Sequence, residues 1–588
     1  MPEAMGEELA DTGGTTATAP DYDAIVVGSG FGGAVAAARL SQAGLRVAVV
    51  ERGRRWSRGT FPRDDKDLRD GWLWSHGHGL YDIKWLDRMI SVQGAGWGGG
   101  SLVYASVFAR PPADSFQHPW PQAYSRETLD PYYDLAAHML EVRTVAKNPA
   151  TGDYPVRTRA MEQIGADLGR PSGTVRPLLA VRFGDDPGAP ITNIHGVEQH
   201  ACTFVAECVL GCNIGAKNST DHNYLAIAER LGATAMVNHE VTNVRQVDGG
   251  AAGLRYAIDF TDHETGTSGS ISAPRVFLGA GAVGTTELLL RSRNLHRSLP
   301  ALSTTLGERY SGNGDFLAFV HRTATPVGAN EAPTITSTSI VDLEVDGEPV
   351  WFQVQDGSFP NKLTALIAGL DPLGHEVDWL RAEAEKVHAP DPKKAAEKNN
   401  TLILLLMGRD ASRGRLYLDA THGLRVRWRN HDNERLYSAE GRISGMIATA
   451  LGGELLESPN WRYLRRAVTV HNLGGVPMGE TVDTGVVDEH GEVHGYPGLF
   501  VVDGSAIPAA TGVNPSATIA AVAERNVERV IRGVTGDPTW VAPETADVVP
   551  APVPEDAAMA AMAADRAEGH ATLTSKRYLR THPRPTRG

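Results

Sequence analysis

Three glycines and one acid near the N-terminus have the spacing of a nucleotide-binding site. The apolar run from Ala24 to Val27 leads into G-x-G-x-x-G, formed by Gly28, Gly30 and Gly33. Such glycines permit a tight turn, close approach of the backbone to a pyrophosphate, and close helix–strand packing. Glu51 ends the next apolar run, about 20 residues further on, where a carboxylate can accept hydrogen bonds from a ribose. The pattern predicts a dinucleotide site. Glu51 favours an unphosphorylated adenosine ribose, as in NAD or FAD, over NADP.

Three cysteines form a second cluster of reactive residue types. Cys202, Cys208 and Cys212 are separated by five and three residues, and His200 or His222 could supply a fourth ligand. Structural zinc and iron–sulfur sites usually need four ligands at more regular spacing. We therefore expect no metal and interpret the thiols as buried or redox-idle. So few cysteines disfavour a disulfide framework and favour a reducing, cytoplasmic location.

Further glycine-rich and C-terminal motifs carry a resemblance to a known family. These motifs occupy residues 94–103, 277–289, 471–475 and 499–519. Together with the first loop they span residues 22–530, in the order found in the glucose–methanol–choline (GMC) oxidoreductases, which the chain resembles. Residues 281–315 and 512–515 are most similar to the cholesterol oxidases of that family.

The resemblance implies a reaction and two central residues. In this family a hydride passes from an alcohol carbon to N5 of FAD, and the hydroxyl proton passes to a base. His471 matches the family's active-site histidine, and imidazole is the side chain suited to this proton transfer at neutral pH. Asn514 matches the second position and would donate to the substrate oxygen or the flavin edge. Because the second glycine-rich loop contains no histidine, we expect non-covalent FAD.

The residues around Asn514 also predict a helix start. Asn514 is a plausible N-cap, and Pro515 suits the first position of a helix that runs to about Val530. The N-terminal amides of this helix would face the flavin and stabilise its negative charge on reduction. Asp503 is expected at the ribityl or pyrophosphate region of the cofactor. The full set expected at the cofactor is Gly28, Gly30, Phe31, Gly33, Glu51, Gly96, Gly100, Ser101, Val103, Gly281, Asp503, Gly504, Asn514, Pro515 and Ser516.

Two departures from the cholesterol-oxidase pattern concern the substrate. Those enzymes use an active-site glutamate to isomerise their first product, but the matching segment 351–357 contains no glutamate. We assign Gln353, Gln355 and Asp356 to the substrate region, and only Asp356 could replace the missing acid, since an amide cannot take up a proton at neutral pH. Tyr104 stands where the sterol enzymes carry asparagine and is a fourth expected substrate contact.

The leading hypothesis is oxidation of an alcohol on a hydrophobic or polycyclic small molecule, either a sterol-like compound or a specialised metabolite. A sugar is the alternative substrate. Electrons would pass to oxygen or to another acceptor. An FAD-containing lyase or a photochemical decarboxylase on the same scaffold is the alternative. The hypothesis of a non-catalytic binding protein is disfavoured because both catalytic positions are filled. An NAD-dependent dehydrogenase is disfavoured by the flavin-type motifs.

These residues require an α/β (α+β) architecture in which separated chain segments build one domain. We predict a Rossmann-like FAD-binding domain from residues 21–115, 200–320 and 465–535. A sheet-based substrate domain, residues 116–199 and 321–464, would be inserted into it. Residues 1–20 and 542–588 are predicted to be a disordered leader and tail, because small, proline and charged residues dominate there.

The bulk composition excludes several other classes of protein. The chain has 588 residues and a net charge of −14, which argues against nucleic acid as the main partner. No apolar run approaches the roughly 18 residues of a membrane-spanning helix. The first residues also lack the positive flank and apolar centre of a secretory signal.

Overall fold

The computed structural model describes residues 20–63, 71–74, 78–167, 171–248, 253–358, 400–458, 461–462 and 465–567. In these residues the helices are α1 Phe31–Gln42, α2 Arg126–Met139, α3 Val156–Asp167, α4 Tyr224–Arg230, α5 Gly281–Asn294, α6 Glu434–Ala450, α7 Ser516–Thr535 and α8 Pro554–Ala567. The strands are β1 Ala24–Val27, β2 Val47–Val50, β3 Tyr81–Leu86, β4 Met89–Gly94, β5 Val107–Phe108, β6 Thr174–Val175, β7 Leu178–Leu179, β8 Pro190–Thr192, β9 Glu198–His200, β10 Thr234–Met236, β11 His239–Asp248, β12 Leu254–Asp262, β13 Ser268–Ala273, β14 Val276–Leu278, β15 Phe316–His321, β16 Thr338–Val345, β17 Glu348–Gly357, β18 Leu402–Gly408, β19 Arg415–Leu418, β20 Leu424–Arg427, β21 Glu454–Glu457, β22 Ala467–Thr469 and β23 Leu499–Val501.

A parallel sheet brings together chain segments that are far apart in sequence. Its strand order is β10-β2-β1-β14-β23, and every pairing is parallel. The strands β1, β2, β14 and β23 are apolar and buried along their whole length, as expected for a sheet that is covered on both faces. Helix α1 packs against α4 and α7, so the first and last helices of this unit are adjacent. The predicted α/β class, with a nucleotide-binding sheet built from discontinuous segments, is confirmed.

The second large sheet is antiparallel and mostly formed by the middle of the chain. Its order is β21-β15-β18-β17-β16-β6, and α6 packs against four of its strands. Strand β17 contains residues 350–354, β19 and β20 form an antiparallel hairpin, and α6 follows that hairpin in the chain. The residue bounds of the two proposed domains stay a prediction.

A buried ion pair joins the two ends of the nucleotide-binding unit. Arg39 on α1 contacts Glu524 on α7 at 2.7 Å and Glu544 beyond α7 at 2.6 Å. Tyr224 on α4 donates its hydroxyl to Glu524 at 2.8 Å. Arg39 and Glu524 are almost completely buried, so each charge depends on the other for compensation.

Among the described helices, none combines the length and apolar character needed to cross a membrane.

The prediction of a disordered tail from residue 542 is wrong for residues 542–567. Residues 543–547 form a 3-10 turn, and α8 packs against β6 and β16. Ala558 and Met562 of α8 are buried against Ile340. The acidic and proline-rich composition suggested a solvated tail, but small and apolar side chains at helical spacing cover this patch of the antiparallel sheet. The predicted leader up to residue 19 and the tail beyond 567 lie outside the described residues.

The acid at the start of α8 gives this contact a pH dependence. Burial raises the pKa of Glu555 to about 7, and its side chain is almost fully enclosed. The unfolded chain releases this proton near pH 4.5. Between these two values the folded state therefore holds more protons than the unfolded state, and stability falls as pH rises.

We predict that Glu555→Gln raises the free energy of unfolding at pH 8 by up to about 3 kcal/mol, because it removes the ionisation of a buried acid. At pH 4 the variant and the parent protein should be equally stable. Thermal unfolding at both pH values measures this difference. Asp547→Asn is the control, since Asp547 is an exposed acid in the 3-10 turn that precedes α8. Equal stability of Glu555→Gln and parent at pH 8 would contradict the account.

Candidate active site

A cavity of about 870 Å³ lies where the two large sheets meet. The carboxyl ends of β1, β2 and β14 contribute one part of its lining, and β15 and β18 contribute another. In parallel α/β sheets, ligands bind in the crevice outside the carboxyl ends of the strands. The location therefore favours a ligand that touches both sheets.

The glycines of the first loop serve two different purposes. Gly28 has a φ of +90°, and a Cβ there would lie 2.5 Å from the carbonyl oxygen of Gly279. A Cβ on Gly33 would lie 2.1 Å from the carbonyl oxygen of Gly28, so helix and strand could not pack. Gly30 has no such crowding within the protein and lines the cavity together with Phe31. The first and third glycines thus permit the turn, and the second leaves backbone open to a ligand.

Glu51 faces the cavity from the end of β2 and holds the first loop in place. Its carboxylate accepts hydrogen bonds from the amide and hydroxyl of Ser29, at 3.0 and 2.7 Å, and from the amide of Gly53 at 2.9 Å. The side chain is buried yet contributes to the cavity lining. Glu51 is therefore placed both to shape the loop and to accept from a ligand hydroxyl.

The second glycine-rich loop packs directly onto the first. Gly99 has a φ of +53°, and a Cβ there would lie 2.7 Å from Cα of Gly30. The ring of Trp56 packs against Gly96, and the hydroxyl of Ser101 donates to the carbonyl of Gly98. Neither Gly96 nor Ser101 lies on the cavity lining. The lining residues of this loop include Gly99, Gly100 and Val103. Of the expected cofactor residues, Gly33, Gly96 and Ser101 thus support the loops from behind.

Asp503 ties the third glycine-containing segment to β23. Its carboxylate accepts from the Gly281 amide at 2.8 Å, from the Thr285 hydroxyl at 2.5 Å, and from the amide and hydroxyl of Ser505 at 2.8 and 2.5 Å. Burial raises the pKa of Asp503. Asp503, Gly281 and Gly504 all line the cavity. Three backbone segments with small residues thus face one cavity, beside the acid Glu51. This arrangement fits the pyrophosphate and ribose of a bound dinucleotide such as FAD.

His471 lies on the cavity wall with its two ring nitrogens in different surroundings. Nδ1 is 2.8 Å from Oδ1 of Asp315, whose other oxygen accepts from the Val470 amide at 2.9 Å and the Thr469 hydroxyl at 3.1 Å. Only 1% of the Asp315 side chain is exposed. A carboxylate accepts and does not donate, so the proton of a neutral His471 resides on Nδ1. Nε2 then carries a lone pair, 3.3 Å from Nδ2 of Asn514.

One buried turn, Ser311–Asp315, positions both His471 and Asn514. Asp315 at its end holds His471, as described. Asn313 accepts from the amides of Thr511 and Gly512, each at 2.9 Å, and donates to the carbonyl of Val513 at 2.8 Å. The residue after this fixed segment is Asn514. The sequence signal for this turn was its run of Ser, Gly, Asn and Asp, yet neither Asn313 nor Asp315 was assigned a role from sequence.

Asp410, which follows β18, fixes the turn itself. Its carboxylate accepts from the amides of Gly312 and Gly314, at 3.0 and 3.1 Å, and from the hydroxyl of Ser311 at 2.9 Å. Gly314 has a φ of +64°, and a Cβ there would lie 2.5 Å from the carbonyl oxygen of Gly408. No other residue type would fit without displacing β18. Asp410 could not be predicted as a site residue, because nothing in its local sequence marks it.

Helix α7 begins at the cavity, but Asn514 does not cap it. The helix starts at Ser516, Pro515 occupies the cap position, and the cap makes no side-chain hydrogen bond. The predicted N-cap at Asn514 is therefore wrong, because its amide is engaged by His471 and Gln355 instead. Pro515 and Ser516 line the cavity, and the first turn of the helix is directed at it.

The four expected substrate contacts are placed differently from one another. The ring of Tyr104 lines the cavity, while its hydroxyl donates to the carbonyl of Asn218 at 3.0 Å. Gln353 and Gln355 are fully buried on β17 and lie behind the cavity lining. The predictions that Asp356 contacts the substrate, or replaces the missing glutamate, are wrong. Asp356 forms a completely buried ion pair with Arg157 at 2.8 Å, because successive strand residues point to opposite faces.

The segment that contains the three cysteines, residues 202–217, packs against the second glycine-rich loop. Cys202 and Cys208 are buried and Cys212 is half-buried, all as free thiols. In the part of the chain that the structure describes, no group of three or more His, Cys, Asp or Glu side chains is arranged to hold a metal ion. Lys217 donates to the carbonyls of Leu102, Tyr104 and Cys208 at 2.8, 2.8 and 3.0 Å, which ties this segment to the second glycine-rich loop. Burial lowers the pKa of Lys217 to about 8.

Comparison with known proteins agrees with this geometry. The sequence profiles of the GMC oxidoreductase family match residues 7–330 and 410–523. A cholesterol oxidase of Mycobacterium tuberculosis (strain ATCC 25618 / H37Rv) is 32% identical over 549 residues, which cover 86% of this chain and 90% of the relative. A cholesterol oxidase of Acinetobacter baumannii is 28% identical over 541 residues, covering 86% and 93%.

A solved structure extends the likeness to the fold. Pyridoxine 4-oxidase from Mesorbium loti is 18% identical, with a TM-score of 0.56 over 86% of this chain and 98% of that one. Because the family match covers most of the chain, and the cavity offers glycine loops and an acid suited to a dinucleotide, the protein belongs to the GMC family of FAD-dependent oxidoreductases.

Proposed function

We propose that the protein oxidises the hydroxyl group of a hydrophobic or polycyclic alcohol to a carbonyl, with His471 as the base. The observation that carries this proposal is the position of His471. Its Nδ1 is fixed by buried Asp315, and His471 lines the cavity that the dinucleotide loops also line, next to Asn514, whose Nδ2 is 3.3 Å from Nε2. A base within hydrogen-bond reach of the substrate hydroxyl is the first geometric requirement of the reaction.

His471, Asp315 and Asn514 have different roles around the substrate oxygen. His471 accepts the hydroxyl proton on Nε2, and Asp315 stabilises the positive charge that the imidazole then carries. Asn514, next to His471, can donate to the same oxygen and orient it. FAD, when bound, supplies the hydride acceptor N5. The first turn of α7 lines the same cavity, and its amides would stabilise negative charge that develops on a flavin bound there.

The wall beyond His471 supports an apolar substrate body. Its residues are Leu317, Phe319, Ile335, Ile403, Leu405, Val468 and Val470. Burying a sugar with many hydroxyls against such side chains would leave polar groups unpaired, at a cost of roughly 1–3 kcal/mol each. The two cholesterol oxidases among the relatives act on a molecule of the favoured kind, with one hydroxyl on an apolar frame. Oxygen or another acceptor would then take the electrons.

Isomerisation of the product is not part of the proposed reaction. Gln355 cannot exchange a proton at neutral pH, and Asp356 is enclosed in its ion pair with Arg157. We therefore expect a sterol-like substrate to yield a ketone whose double bond stays in its original position.

The apolar wall of the cavity leads to a prediction about the class of substrate. Anaerobic addition of a sterol or a long-chain alcohol to the FAD-loaded protein should bleach the oxidised-flavin absorbance, whereas glucose at the same concentration should leave it unchanged. A visible spectrum recorded before and after addition measures the effect. Bleaching by sugars only would contradict the apolar substrate. Failure of every alcohol would contradict the proposed reaction and favour a lyase or photochemical activity.

The assignment of His471 as the base predicts the effect of replacing it. His471→Gln should lower the rate of flavin reduction by the active alcohol about 100-fold or more, because it removes general-base catalysis. Asp315→Asn should also slow reduction, since an amide oxygen compensates the imidazolium charge less well than a carboxylate. Stopped-flow absorbance measures both rates. Gln353→Met, a buried change outside the cavity, is the control. A His471→Gln rate within a few-fold of the parent would refute the base assignment.

We propose that Glu51 accepts a hydrogen bond from the adenosine ribose of FAD. Glu51→Gln keeps the shape of the side chain but turns one acceptor oxygen into a donor that faces Ser29 or Gly53. We expect weaker FAD retention, seen as a higher dissociation constant when apoprotein is titrated with FAD. Arg46→Gln, on the exposed side of the same βαβ unit, is the matched control. Unchanged FAD affinity in Glu51→Gln would place the ribose elsewhere.

A further inference from the structure

Gln355 contacts the active site from behind the cavity wall. The residue lies on β17, and its side chain is completely buried. Its Nε2 donates to Oδ1 of Asn514 at 2.7 Å and to the hydroxyl of Thr338 at 3.1 Å. Thr338 is the direct partner of Gln355 in the β16–β17 pairing, so the sheet register sets this contact. Both N–H groups of the amide are thereby used.

The orientation of Gln355 determines which end of the Asn514 amide meets His471. Because Oδ1 of Asn514 accepts from Gln355, its Nδ2 is turned toward Nε2 of His471, at 3.3 Å. An N–H donor can face Nε2 only when that nitrogen carries a lone pair, since two N–H groups pointed at each other repel. On the other side, Asp315 keeps the proton on Nδ1. Asn514 and Asp315 thus favour the same neutral tautomer.

We propose that Gln355 is a positioning residue that fixes the direction of the Asn514 amide and thereby keeps His471 ready to accept a proton on Nε2. The inference rests on the proposed function in that His471 is the base. Gln355 contacts neither substrate nor cofactor in this scheme. It acts through Asn514, and residue type matters because only an amide offers N–H donors to both Thr338 and Asn514 without a charge.

Removing the Gln355 amide should change the proton affinity of His471 in a known direction. Asn514 would be free to rotate and present Oδ1, which can accept from a protonated Nε2. The doubly protonated imidazole would gain a hydrogen bond and the neutral form would lose one. Gln355→Met keeps the length and burial of the side chain but removes the N–H groups. His471 should therefore titrate at a higher pH in Gln355→Met than in the parent.

The other ionisable groups near His471 are the same in parent and variant. Asp315 contacts the ring directly, and Asp410, Tyr437 and Glu440 lie behind it, with Tyr310 beside them. All are buried, and burial raises the pKa of Glu440 and of Tyr437. Because none of them touches the Gln355 amide, they affect parent and variant equally. A difference between the two titrations is therefore attributable to the Asn514 amide.

Gln353 provides a matched control on the same strand. Its side chain is also fully buried and on the same face of β17, two residues away. Among the described residues, no hydrogen bond joins it to Asn514. Gln353→Met therefore reproduces the buried amide-to-thioether change without altering the Asn514 contact. Gln355→Leu, paired with Gln353→Leu, serves if Gln355→Met does not fold.

The test is an NMR titration of the FAD-loaded protein labelled with 13C at histidine Cε1, with the His471 signal assigned from His471→Gln. We expect the midpoint for His471 to rise by about one pH unit in Gln355→Met and to stay at the parent value in Gln353→Met. Flavin reduction by the active alcohol at pH 7 should slow about tenfold in Gln355→Met, with little change in alcohol affinity. An unchanged His471 midpoint, or the same change in Gln353→Met, would overturn the proposal.

The two measurements separate this inference from the proposed function. The titration needs no alcohol, so a raised midpoint supports the positioning role even if no alcohol reduces the flavin. In that case the proposed oxidation fails and the role of Gln355 stands. Conversely, a parent protein that is bleached by alcohol, with His471 titrating identically in all variants, would retain the oxidation and refute the role of Gln355.

Discussion

The buried turn Ser311–Asp315 is the constraint on which the active site depends. It receives its shape from one carboxylate, Asp410, which is held among backbone amides in the interior. From this turn Asp315 fixes His471 and Asn313 fixes the segment leading to Asn514. Two residues that are far apart in sequence therefore have a common support. A buried hydrogen-bonded carboxylate is costly to disturb, because a lost partner leaves the charge uncompensated.

Both large sheets line the cavity, and this explains the composition of its wall. The parallel sheet contributes backbone and Glu51, suited to a dinucleotide, while the antiparallel sheet contributes an apolar wall from β15 and β18. Strand β15 begins immediately after Asp315, so the base and the substrate wall are connected through adjacent residues. The same strand pairs with β18, which leads to Asp410. A shift of either sheet would move the proposed base relative to the substrate.

The parts of this arrangement that depend on local sequence could be predicted. The glycine spacing, the terminal acid Glu51 and the apolar strands identify the parallel sheet, since each has a local steric or polar reason. The role of His471 came from resemblance, not from its own surroundings in the sequence. Asp315, Asp410 and the Gln355 contact could not be derived, because their partners, about 100 to 160 residues away in the sequence, are brought together only by the tertiary fold. Asp356 and the helix α8 were misjudged for the same reason, since their burial depends on distant Arg157 and Ile340.

In the proposed reaction, an alcohol held beside His471 gives up its carbinol hydrogen as a hydride while His471 takes the hydroxyl proton. The most direct test is anaerobic flavin reduction by the active alcohol and by the same alcohol deuterated at the carbinol carbon, followed by stopped-flow absorbance. If the carbinol hydrogen leaves as a hydride in this step, reduction should be several-fold slower with the deuterated alcohol. Equal rates, in conditions where the reduction step itself is observed, would show that breaking this C–H bond does not limit reduction and would contradict the proposed reaction.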